Sequence, residues 1–206
     1  MRWDGESFDE TWSGFSHGAA GIGWALLKAG KALASPEYAA CGVRALEFER
    51  GLFTTKINNW RRKRSGDLND FGQTWCHGAP GIGLSRCDLY TLSGDGQIRA
   101  ECLTALQSTL DFFPIWSDSL CHGDLGNLEL FSIGARILRD ESFEQVAQER
   151  MASIIVNARK DGWRCGTPQT VETPGLMCGL AGIGYGLLRY VDPARVPCVL
   201  LLSGPK

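Results

Sequence analysis

The sequence predicts an all-α protein built from helix pairs. Three observations carry that prediction. A glycine motif recurs four times along the 206 residues: SHGAAGIGWALL from Ser16, CHGAPGIGLSRC from Cys76, CHGDLGNLELFS from Cys121 and MCGLAGIGYGLL from Met177. The segments between these motifs place apolar residues at three- and four-residue steps, the spacing of one helix face. Strand-like alternation is scarce. An internal repeat of this length marks an architecture in which one supersecondary unit is used several times.

Each motif has glycine at its third position and again three residues later, then runs into an apolar stretch of helical character. Glycine at a helix opening lets the backbone turn sharply and neighbouring helices approach closely. These stretches are the expected first helices of each pair. The second helices lie between the motifs. Ser35-Pro36-Glu37 reads as a helix start, a cap residue followed by proline in the first turn, and Gly51 is the expected stop. Residues Asp95 to Phe112 and Glu141 to Lys160 supply two more. In the latter, Phe143, Val146, Ala147, Met151, Ile154 and Ile155 fall on one face, and Asp161-Gly162 ends the pattern.

Composition narrows the function classes. With 44% hydrophobic and 21% charged residues, the chain reads as soluble and globular rather than disordered, and residues 1–206 read as one domain. A net charge of −2 gives no global drive toward nucleic acid or an anionic membrane. No stretch reaches the roughly 18 apolar residues of a membrane helix. The N-terminal MRWDGESFDE is acidic and lacks the apolar core of an export signal. Eight cysteines without such a signal suggest cytoplasmic thiols or metal ligands rather than a disulfide framework. The basic run Arg61 to Arg64 reads as a solvated loop or, more sharply, as a docking patch for an acidic peptide.

The chemistry concentrates in the motifs. The second motif position holds His17, His77, His122 and Cys178, which accounts for all three histidines of the chain, and Cys76 and Cys121 each precede one of them. If the helix starts gather at one end of a bundle, Cys76 and Cys121 meet there. Thiolate and imidazole suit zinc, and three protein ligands leave a fourth position open, the catalytic pattern. No CxxC pair of the structural type is present. By its residues alone, Cys121-His122 fits a metal site, a buried structural pair, or a reactive thiol with its base. Cys41, Cys87, Cys102 and Cys198 read as buried small hydrophobes. Cys165, in WRCGTP, reads as incidental in a polar loop, and Cys178 as a packing residue that shares the repeat register. A lone histidine beside glycine, as at His17 and His77, is more often a hydrogen-bonding residue than a ligand.

Taken in order, GFSHGAAGIG, WCHGAPGIG, LCHGDLGN and GLMCGLAGIGYGLLR resemble the lanthionine synthetase C-like family, the cyclases of lanthipeptide biosynthesis. The tail DPARVPCVLLLSGPK resembles the end of the bifunctional class II synthetases, whose C-terminal half is the cyclase. The resemblance runs from about Trp12 to the last residue. It implies an α/α toroid of helix hairpins, here a partial toroid of about four hairpins forming the C-terminal portion of the cyclase domain. The resemblance also implies Zn2+ held by Cys76, Cys121 and His122, with His17 as the acid/base; ligation by His77 is not implied. The family's catalytic aspartate belongs to an earlier hairpin, and Asp4 and Asp9 lack its context. The implied reaction adds a cysteine thiolate of a dehydrated precursor peptide to dehydroalanine or dehydrobutyrine, giving (methyl)lanthionine rings. Implied partners are that peptide and the remaining N-terminal cyclase hairpins or dehydratase domain. Two rival readings are a glutathione-adding relative and a zinc-bearing, peptide-binding module without turnover. A glycosidase-like α/α barrel would need paired carboxylates, and none stands out beside the motifs.

Overall fold

The computed structural model describes residues 11–64, 67 and 69–204, so Asp4 and Asp9 lie outside the described residues. The chain divides into two compact units, Met1–Ser108 and Thr109–Lys206.

The first unit opens with α1 (Ala19–Ala32) and α2 (Pro36–Arg50). A two-stranded antiparallel ribbon follows, β1 (Phe53–Thr54) and β2 (Asn59–Trp60), with Phe53 opposite Trp60. Next come α3 (Ala79–Ser93) and α4 (Gly96–Asp111), which runs past the unit boundary. Helix α1 packs against both α2 and α3. The second unit holds α5 (Asp124–Leu138), α6 (Glu141–Asp161) and α7 (Leu180–Val191), with α5 packed on α6 and on α7.

Local chemistry explains the helix boundaries. Ser35 Oγ accepts the Tyr38 N–H at 3.3 Å, with Pro36 in the first turn of α2. Asp95 Oδ1 accepts from Gln97 N and Ile98 N at 2.7 and 3.0 Å, starting α4. Asp140 Oδ1 accepts from Ser142 N at 3.0 Å, starting α6. Caps of this kind are typically worth ~1 kcal/mol each.

The described residues form three helix pairs and a fourth glycine-opened helix, α7, in keeping with the expected partial toroid of about four hairpins. After α7 the described residues make a 3-10 turn at Val199–Leu201. Pro193 and Pro197 cannot continue a helix ladder. The Arg189 guanidinium also donates to the Pro193 and Val196 carbonyls at 2.8 and 2.6 Å, fixing the segment back onto α7.

The glycine motif is one turn built repeatedly. Ahead of α1, α5 and α7, the N–H of Ala19, Asp124 and Leu180 donates to the carbonyl seven residues back, each at 2.8 Å. The second glycine then seats against the preceding loop. A Cβ on Gly126 would collide with the Leu120 carbonyl, and the same holds for Gly21, Gly81 and Gly182 against Phe15, Trp75 and Leu176. A backbone atom cannot yield as a flexible side chain can, so the position requires glycine.

Four sequence expectations need correction. Cys87 and Cys102 are fully buried, as expected, but are joined in a disulfide between α3 and α4, their Cα atoms 5.7 Å apart. Cys41 is only half-buried, with the Arg44 guanidinium 2.9 Å from its Sγ. Cys165, expected in a polar loop, is wholly buried. The basic run is not a loose solvated loop either. Arg62 pairs with Asp70 at 3.5 Å, Lys63 lies over the Trp12 ring and Arg64 over Phe48. Among the described residues, no helix is long and apolar enough to cross a membrane.

Candidate functional site

In the first unit, the loop 12–18 carries His17 and the turn before α3 carries Cys76 and His77. The loop is fixed from several sides. Ser13 donates through N to the Arg62 carbonyl and through Oγ to the Arg61 carbonyl, both at 2.7 Å. Glu49, fully buried on α2, accepts the Gly14 N–H at 2.9 Å and the Ala20 N–H at 3.1 Å on one carboxylate oxygen. Its other oxygen accepts from Arg86 Nη2 at 2.9 Å, and both side chains are fully buried. Arg86 Nε in turn donates to Glu101 at 2.6 Å. Burial pushes the Glu49 carboxyl above its ordinary range, and Arg86 and the two backbone N–H groups oppose that shift.

His17 is exposed, and its ring stacks on His77 with centroids 4.8 Å apart and planes 23° apart. The Trp12 ring also lies against His77, at 5.1 Å. Burial holds the His77 imidazole below its usual range, with the neighbouring Cys76 and the Ser13 carbonyl partly opposing. Cys76 is buried, and its Sγ lies 3.3 Å from Thr74 Oγ1. The structure thus brings His17 and His77 together, a pairing the repeat register places in equivalent positions without revealing the stack.

In the second unit, Cys121 and His122 sit side by side, half-buried, on the turn before α5. The Cys121 N–H donates to the Met177 carbonyl at 2.8 Å. His122 Nε2 lies 2.7 Å from the Gly166 carbonyl oxygen. A carbonyl only accepts, so Nε2 carries the proton and the neutral ring has its lone pair on Nδ1. The Trp116 ring, half exposed, lies 5.4 Å from the His122 ring. Arg164 grips Asp118 through its backbone N–H at 2.8 Å and through Nη2 at 2.6 Å. Gly166 N donates to the Cys178 carbonyl at 2.7 Å. Cys178 therefore contributes its backbone to the support beneath His122. Burial raises Asp124 to about 7, against the Ile115 N–H and Arg164, which favour its charged form.

Cys76, Cys121 and His122 offer two thiols and one imidazole, a donor set that could hold a metal ion and that matches the borderline softness of zinc. Sequence reasoning did not single out Glu49, Arg86, Asp118, Arg164, Trp116 or Gly166. Apart from Trp116, which lies six positions from His122, their partners are remote in the chain, and no local spacing signals them.

The family model for lanthionine synthetase C-like protein matches residues 3–201. The chain is 26% identical over 200 residues to the lacticin 481/lactococcin biosynthesis protein LcnDR2 of Lactococcus lactis subsp. lactis, covering 88% of this chain and 21% of that one. It is 26% identical over 208 residues to the glutathione S-transferase LANCL1 of Danio rerio, covering 94% of this chain and 47% of that one. Among solved structures it is similar to nisin cyclase, with a TM-score of 0.71 and 21% identity, over 89% of this chain and 47% of that one. That likeness shows the fold, the α/α toroid type expected from the resemblance, over a part of it. The chain spans less than half the length of each of these relatives. With the match running over nearly all of its residues, the chain belongs to the lanthionine synthetase C-like family.

Proposed function

We propose that this chain is part of a zinc-dependent lanthipeptide cyclase. The observation that carries the reading is the donor set of Cys76, Cys121 and His122 in a chain of this family. In this reading those three side chains hold the metal. Bound zinc supplies a Lewis acid that lowers a peptide thiol from its usual ~8.5, so that thiolate forms near neutral pH.

The remaining chemistry falls to substrate and protein side chains. The sulfur of a peptide cysteine, having lost its proton, bonds to the β-carbon of dehydroalanine or dehydrobutyrine. The carbon–carbon double bond opens toward the carbonyl as an enolate. A proton delivered to the α-carbon completes the thioether. His17 is the proposed acid: its ring is exposed, and its stack on His77 and the pinned loop around it keep the imidazole in place. Imidazole is the side chain suited to proton transfer near neutral pH. Since the peptide supplies both reacting groups, the protein's main contribution is activation and positioning.

The partners in this reading are the dehydrated precursor peptide and the N-terminal cyclase hairpins or dehydratase domain, consistent with the partial span of the relatives. The setting is cytoplasmic, supported by six of the eight cysteines standing as thiols. A second reading follows from the similarity to a glutathione S-transferase: the same site would add glutathione to a dehydroamino acid.

One experiment separates them. The zinc-loaded chain is incubated with a dehydrated peptide that keeps its cysteines, with and without glutathione. Ring closure leaves the mass unchanged and removes one alkylatable thiol per ring; glutathione addition raises the mass. Peptide thiols that all remain alkylatable, with no mass gain, would leave a peptide-binding module without turnover as the surviving reading.

A further inference from the structure

We propose that Gly166 is a positioning residue for a metal ion at His122, holding the imidazole as its Nε2–H tautomer so that Nδ1 is the ligand atom. This rests on the reading above that His122 ligates the metal. Three observations carry the inference. The Gly166 carbonyl lies 2.7 Å from Nε2 and can only accept, so it fixes which ring nitrogen bears the proton. A metal-ligating histidine is commonly oriented in this way through its other ring N–H, which also raises its basicity as a ligand.

Residue 166 must also lack a side chain for the contact to exist. A Cβ there would lie 2.5 Å from Ser119 Oγ, 2.7 Å from His122 Nε2 and 3.1 Å from His122 Cδ2. It would therefore press on the ring itself. Finally, the segment bearing the carbonyl is fixed on both sides of residue 165. The Arg164 N–H and guanidinium hold the buried Asp118 carboxylate at 2.8 and 2.6 Å, and Asp118 N returns a bond to the Arg164 carbonyl at 2.8 Å. Gly166 N is anchored on the Cys178 carbonyl. The carbonyl is thus a fixed acceptor, itself 44 positions from the histidine it orients.

Two measurements on the full chain test this. Long-range proton–nitrogen NMR of the zinc-loaded chain is expected to show the His122 proton on Nε2 and a metal-shifted Nδ1; a proton on Nδ1 overturns the proposal. Chelator competition is expected to show zinc bound about 10–100-fold more weakly by Gly166→Ala. Gly204→Ala, whose new Cβ meets nothing within 4 Å, keeps the parental affinity. Parental affinity in Gly166→Ala overturns the proposal. If Gly166→Ala does not fold, the NMR measurement on the unsubstituted chain still decides. A parent chain that binds no zinc removes the reading of His122 as a ligand, an outcome distinct from zinc bound with the other tautomer.

Discussion

Arg86→Met tests the buried ion pair that supports the His17 loop. The substitution keeps an unbranched apolar stem and removes the charge. Arg86 and Glu49 are both fully buried and 2.9 Å apart, so the carboxylate loses its counter-ion where water cannot replace it. Removing one partner of a buried pair costs about 3–5 kcal/mol. For a chain of this size that lowers the melting temperature by roughly 6–20 °C. Glu101 is less affected, because Arg50 Nε still donates to it.

The pH dependence has a definite sign. Burial already holds the folded Glu49 carboxyl above its unfolded value, and losing Arg86 removes the largest opposing influence. A carboxyl whose folded pKa is raised favours the native state when protonated, and that support is lost as pH rises through the folded pKa. Arg86→Met should therefore be closest to the parent at about pH 5 and furthest below it at about pH 8. Thermal melts followed by circular dichroism at both values measure this. The double variant Glu49→Gln/Arg86→Met should regain much of the loss, because no bare charge remains. Glu49 also holds the N–H groups of Gly14 and Ala20, so amide exchange in Arg86→Met should quicken across residues 13–20. Melting within a degree or two of the parent, or an equal loss at both pH values, would refute the reasoning.

Three further outcomes are expected. Cys76→Ala and Cys121→Ala should each bring bound zinc well below one per chain by elemental analysis, and full zinc in either would remove that residue from the ligand set. His17→Ala should slow ring closure on a dehydrated peptide by about 10²–10⁴-fold while leaving zinc content intact; the parental rate would end its acid role. Burial, reinforced by Glu129, pushes the Cys198 thiol up to about 12, so in the native chain it should resist iodoacetamide near pH 8 and react only after denaturation, as peptide mass mapping can show.

The helix pairs were legible because their signals are local. Ser35 caps a residue three positions away, and Asp95 and Asp140 do the same work within one turn. The repeated glycines were legible for a similar reason: each answers to a carbonyl six residues back, so the requirement is written into a short window. The fourth glycine-opened helix, α7, was legible from the same short window as the other three.

The residues that support the candidate site were opaque for the opposite reason. Glu49 lies in the charged segment EFER on α2, yet it is buried because Arg86, 37 residues away, meets it. Nothing in the spacing of either residue predicts the other. WRCGTP misled in the same way. Its arginine finds Asp118 46 residues back, which satisfies the polar neighbours and lets Cys165 sink out of solvent. A polar segment reads as exposed only when its partners are assumed to be water. Cys121-His122 could be read as a ligand pair from its motif, but the chemistry of that histidine depends on which ring nitrogen holds the proton. That choice is set by a backbone carbonyl 44 residues on, a group every residue possesses and no sequence pattern marks.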